Sequence, residues 1–262
     1  MRQLHIFGRY GVFFVCAALL SACSGTPTYN PTVFPASIDQ ARLDTHPMKT
    51  VVIAHVNLGS QSRNYLEKEA PRIDAQVTEY LRDNGFTVLP QREFEQHWNT
   101  AVRAFGNPVD PTSGKINTKT FAQIMHRVRD ELVESSNIDG FIFTDLVEVQ
   151  ESFSGGMKHL ARWDGVTRAP TMQGPGDGVS ANFDWSMMAA MVSLKVTIYD
   201  AELKPVFHGR GGIDATDAID SRSTKGRYIR RRNILENESN IMEGIQLAFY
   251  PLIEMEDWPG NP

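Results

Sequence analysis

The chain has 262 residues, 41% of them hydrophobic and 22% charged, with 26 basic and 31 acidic residues giving a net charge of −5. That length suits one large domain or two small ones, and the composition is that of a globular chain. It excludes a collagen-like, wholly disordered or polytopic membrane protein, and the acidic balance argues against nucleic acid as a partner.

The first 22 residues read as a signal peptide. Arg2 and Arg9 form a positive n-region, Val12 to Leu20 an uncharged apolar h-region, and Ser21 and Ala22 the small residues that cleavage requires. The apolar run from Tyr10 to Cys23 is shorter than the about 20 residues a helix needs to span hydrocarbon. Leu20-Ser21-Ala22-Cys23 resembles the lipobox of bacterial lipoproteins at every position. The resemblance implies cleavage before Cys23, diacylglyceration of its thiol, and anchoring by acyl chains such as palmitate. Each buried CH₂ then contributes about 0.8 kcal/mol. Ser24 stands where an aspartate tends to retain such lipoproteins at the inner membrane, which implies the outer membrane, facing the periplasm. The only other cysteine is Cys16 in the h-region, so the mature chain has no thiol for a disulfide, a metal or a nucleophile. Loss of Arg2 and Arg9 leaves 24 basic against 31 acidic residues, a net charge of −7.

Residues 23–47 read as a lipid-anchored flexible linker, with Pro27, Pro31, Pro35 and Pro47 and few bulky apolar side chains. A single domain is expected over 48–258. Lys49 to Leu58 is a β-branched run apolar on both faces, expected as a strand buried on both sides. Asn64 to Asn84 carries Leu66, Ala70, Ile73, Val77 and Leu81 at helical spacing, with Asn84-Gly85 as the stop. Phe86 to Leu89 is a second strand. Gln91 to Phe105 and Thr118 to Ser136 are helices around the loop 107–117. Phe141 to Gln150 is a strand, Ser154-Gly155-Gly156 a turn, and Met157 to Arg168 its expected hairpin partner. Ala169 to Trp185 is a long Gly/Pro-rich loop. Met187 to Tyr199 ends with Leu194, Val196 and Ile198 on one face and Lys195, Thr197 and Tyr199 on the other. Pro205 to Ile213 is expected as the last strand, and Ile234 to Met255 as a closing amphipathic helix.

The order predicts an α+β domain. Its mixed sheet begins with a β-α-β unit and continues as an antiparallel meander, with helices packed on it. This order resembles a group of envelope lipoproteins: the curli-secretion channel lipoprotein, the lipoprotein activators of penicillin-binding proteins, and the amino-terminal domain of the Tol-system propeller protein. The likeness rests on Val51-Val52-Ile53, on the helix ending before Gly85-Phe86-Thr87-Val88, on Ile138-Asp139-Gly140-Phe141-Ile142, and on the strand from Leu194 to Tyr199-Asp200. It implies a protein-binding or assembly module without catalysis, and it transfers no individual functional residue.

Motifs for chemistry are sparse. There is no G-x-S-x-G elbow and no H-E-x-x-H pair, and His46, His55, His97, His126, His159 and His208 are scattered, so no metal and no cofactor is expected. His55 reads as a core or interface residue. Gly174, Gly176 and Gly178 lack the lysine and hydroxyl of a phosphate loop. Asp214, Asp217 and Asp220 recur every third residue, unlike a calcium loop, and read as solvated loop residues or a helix cap. Asp145 and Glu148 lack a recognisable pocket. The densest feature is Arg222 to Arg232, where Arg222, Lys225, Arg227, Arg230, Arg231 and Arg232 surround Tyr228 and Ile229. It reads either as a solvated face or as a surface that docks an acidic partner or anionic headgroups. Two functions follow from these readings. One is a non-enzymatic lipoprotein that binds another envelope protein or self-assembles. The other is an envelope hydrolase of peptidoglycan or carbohydrate with an unfamiliar site.

Overall fold

A computed structural model describes residues 36–54, 64–110, 112–113, 115–176 and 178–255. The leader, Cys23 and His55 lie outside the described residues. The first elements are Ser37–Ile38 (β1) and Gln40–Thr45 (α1), the latter capped by Asp39, whose carboxylate accepts from the Arg42 amide at 3.0 Å. β1 pairs antiparallel with Phe207 and His208, and Ile38 and Leu43 pack on the main core. Residues 37–46, expected within the linker, are thus joined to the domain, because two apolar side chains and an Arg42–Glu202 ion pair at 2.7 Å hold them there.

Thr50–Ile53 (β2) is buried from Val51 onward, as its apolar run predicts. The helix expected over 64–84 is divided into Asn64–Glu67 (α2) and Ala70–Asp83 (α3). Pro71 accounts for the break: it lacks an amide proton, and its ring would strike the carbonyl of Glu67 in a continuous helix. Thr87–Leu89 (β3) follows the positive-φ Gly85, and then come Gln91–Phe105 (α4) and Thr118–Ser136 (α5). Asn117 caps α5 by accepting from the Thr120 amide at 3.1 Å.

Gly140–Ser152 (β4) does not pair with the segment after it. Ala161–Trp163 (β5) and Val166–Arg168 (β6) make a separate small hairpin. Asp164-Gly165 turns it with φ of 38° and 87°, the positive pair that a two-residue hairpin needs. Met172–Gln173 (β7) lies within the expected loop. The true partner of β4 is Met188–Asp200 (β8), in register from Gly140↔Asp200 to Ser152↔Met188. Pro205–Ala215 (β9) follows but is not the last strand: Asp217–Asp220 (β10) and Tyr228–Arg230 (β11) come after it. The closing helix is Glu238–Phe249 (α6), shorter than expected, because Asn237 caps it by accepting from the Asn240 amide and Pro251 prevents continuation.

The main sheet has the order β1-β9-β8-β4-β2-β3. β2 runs parallel to β3 and β4, and the remaining pairs are antiparallel. The α+β class with a mixed sheet and a closing helix is therefore what the chain adopts. One face carries α3 and α6. Ile73, Val77 and Leu81 with Ile241, Ile245 and Phe249 pack on Ile53, Ile142, Leu194, Val196 and Ile198. Gly211 lets α6 lie directly on β9, since a methyl there would run into the Gly244 carbonyl. On the other face α4 and α5 pack Phe94, Ile124, Val128 and Leu132 on Val52 and Phe141. The β5–β6 hairpin covers the far end of that face with Trp163 and Val166. Between these two covers the sheet face is open.

Candidate functional site

Two regions of the described residues gather charge. The first is the basic segment. β10 pairs antiparallel with β11 and parallel with β7, so the segment is a sheet edge and not a bare loop. The three aspartates expected to be solvated or capping are instead packed under it. Asp214 meets Arg231 at 2.7 Å, Asp217 meets Arg230 at 3.5 Å, and Asp220 meets both Arg222 at 2.9 Å and Arg227 at 2.8 Å. The two guanidiniums, hydrogen-bonded to its carboxylate, hold Asp220 down to about 2, below the ordinary carboxylate value.

The geometry of these pairs is one-sided. The Asp220 carboxylate is 0% exposed, while the side chains of Arg222 and Arg227 are 57% and 65% exposed. Each pair therefore hides its anion and displays its cation. Arg230 also lies 4.3 Å above the Tyr65 ring and donates to the Tyr65 hydroxyl at 2.8 Å. Burial, and then the bond to Glu148, push Tyr65 up to about 12. Tyr228 packs between Phe153 and Phe183, and burial raises it to about 12 as well, so it is part of the packing under the edge. Among the described residues no ion pair engages Lys225 or Arg232, both of which are exposed. Arg232 and Arg222 flank a cleft of about 390 Å³ with Gln173, Gly174 and Pro175.

The second region is the open sheet face, which sequence reasoning did not reach. The register places Asp145 of β4, Lys195 of β8 and Arg210 of β9 in one row across three strands. The next row is Phe143, Thr197 and His208. Where α5 overhangs this face, a cleft of about 370 Å³ is lined by Phe121, Met125, Phe143, Tyr199 and Leu203, with Asp145, Lys195, Thr197 and His126 at its polar side. Phe143 and Tyr199 meet edge to face at 5.5 Å. Arg210 Nε is buried without a hydrogen-bond acceptor and lies 3.8 Å from Asp164. Asp164 itself accepts from Ser193 Oγ at 2.6 Å. Burial lowers His208 from its ordinary value, and Lys195 and Arg210 lower it further.

The remaining histidines stay apart: His97 contacts Glu131 at 2.6 Å and His159 stacks on Trp185 at 3.6 Å. Among the described residues no group of three or more His, Cys, Asp or Glu is placed to hold a metal. None of the described helices is long and apolar enough to cross a membrane. No family model matches the chain, and no curated protein or solved structure matches it.

Proposed function

We propose that the chain is a lipoprotein of the bacterial outer membrane, held by acyl chains on Cys23, that faces the periplasm and works without catalysis. It binds an acidic face of another envelope protein or of a second copy of itself. The lipobox carries the location, and the resemblance to the curli-channel and penicillin-binding-protein-activator lipoproteins carries the class. The observation that supports the binding surface is the one-sided ion-pair ladder. Asp214, Asp217 and Asp220 fix the arginines in place while Arg222 and Arg227 point their free donors outward. A cationic surface held this way loses little side-chain entropy on docking. The hydrolase reading gains no second acid from the cleft, where Asp145 is the one carboxylate among the lining residues.

The ladder also dictates how to test the surface. Arg230 and Arg231 anchor the fold through Asp217 and Asp214, so replacing them would report on folding. Lys225 and Arg232 are the clean positions. In cells, the double variant Lys225→Glu/Arg232→Glu is expected to lose the crosslinked partner adduct roughly tenfold at unchanged abundance. An unchanged adduct would reject the surface. Mass spectrometry of Cys23 tests the anchor: an acylated amino-terminal cysteine is expected, and an unmodified thiol or an uncleaved leader would reject the envelope location.

A further inference from the structure

We propose that the open sheet face binds a small amphipathic anion, with its apolar body in the cleft against Phe143 and Tyr199 and its anionic group on Lys195 and Arg210. The cleft of about 370 Å³ is in the size range of small-molecule sites. Its walls are apolar side chains from α5 and β4, and its polar groups collect at the Lys195 end. This is the lining that an amphipathic ligand requires.

The sign of the ligand's charge follows from the row across the strands. Lys195 and Arg210 stand directly opposite on neighbouring strands, where like charges repel. Most sheets avoid this placement or insert a counter-charge. Asp145 flanks Lys195 on the β4 side, and Asp164 stands 3.8 Å from Arg210, beyond hydrogen-bond reach. The buried Nε of Arg210 therefore keeps an unused donor. A buried donor without an acceptor costs about 1–3 kcal/mol in general, and an anionic oxygen from outside would supply the acceptor. A carboxylate or sulfonate seated between the two cations relieves the repulsion and satisfies that donor. His208, in the adjacent row, senses the same two cations and is displaced in the direction they dictate. A cationic ligand would meet Lys195, and a neutral one would leave the Nε unsatisfied. This inference does not depend on the anchor at Cys23.

The test uses the full chain bearing Cys23→Ser, so that no acyl group of its own competes. Decanoate, decanol and decyltrimethylammonium are titrated separately below their aggregation concentrations, by calorimetry and by NMR. They share an apolar tail and differ in head-group charge. Decanoate is expected to bind saturably, about tenfold more tightly than either of the others. The His208 imidazole is expected to titrate at higher pH when decanoate is bound. Ala122 is exposed on α5 at the lip of the cleft, so Ala122→Trp should fill the cleft, keep the fold and abolish binding. Lys195→Met should erase the preference for decanoate while leaving tail binding. Equal affinity for the three heads, decanoate binding that survives Ala122→Trp, or no saturable binding of any probe would each overturn the proposal.

Discussion

The two charged regions of this protein invert what their sequences suggest. The segment 222–232 is the densest run of positive charge in the chain, yet Arg222, Arg227, Arg230 and Arg231 each find a carboxylate at 3.5 Å or less. The open sheet face holds only two cations, fifteen positions apart in the chain, and there Lys195 and Arg210 are forced side by side. Local charge density is therefore a poor guide to the field a folded surface presents. What matters is whether the fold supplies partners. β10 threads three aspartates beneath β11, whereas β8 and β9 bring two like charges together.

The contrast is broken most severely at Arg231. Its guanidinium bonds Asp214 Oδ2 and the Ala215 carbonyl, both at 2.7 Å. Arg231→Met leaves a largely buried carboxylate unpaired and is expected to cost about 3 kcal/mol in urea unfolding. The neighbouring Arg232→Met should stay within about 0.5 kcal/mol, as a surface change does. Equal effects at the two positions would mean that the ladder does not hold the edge. A smaller effect is expected at Asp220, whose arginines remain hydrated when it is lost. Its folded value near 2 lies below its ordinary 3.8, so it contributes stability above pH 3.8 that disappears as the pH falls through 2. Asp220→Asn should flatten the acid limb of the stability curve across that window. A limb of unchanged slope would place the acid sensitivity elsewhere.

Much of the fold is legible in the chain because its causes are local. α4 and α5 begin and end where apolar periodicity, Asn117 and Asn137 put them. The alternation of β8 places Leu194, Val196 and Ile198 against the core and Lys195, Thr197 and Tyr199 on the opposite face. Two further features carried local signals that went unused. Pro71 marks the break between α2 and α3, and Asp164-Gly165 marks the β5–β6 hairpin. The rest had no local signal. The pairing of β4 with β8 spans an intervening hairpin and loop, and β10 joins β7 from across the same loop. The aspartates at 214, 217 and 220 look solvated because their partners arrive ten to seventeen residues later or from another strand. The cleft is visible only once three strands are in register and α5 has stopped short of covering them.

The smallest expected effect sharpens the contrast at the open face. Lys195→Met removes one of the two opposed cations while keeping the apolar stem. Relief of a directly opposed like charge on a sheet is worth about 0.5 kcal/mol at most, so stability should hold or rise slightly. The more sensitive reading is His208. Burial comes first among the causes that lower it, with Lys195 and then Arg210 behind, while the Val196 backbone acts the other way and Thr197 Oγ1 sits 3.2 Å from Nδ1. A histidine lowered in the folded state loses stability as the pH falls below its ordinary 6.5, because the unfolded chain takes up the proton more readily. Removing Lys195 should therefore raise the titration of His208 partway toward that value, since burial remains, and should reduce the loss of stability between pH 6.5 and 5. NMR titration of the imidazole reads this directly. An imidazole that titrates at the same pH in both proteins would mean that the Lys195 ammonium turns away from the row, and the like-charge pair that sets this face apart from the ladder would not exist.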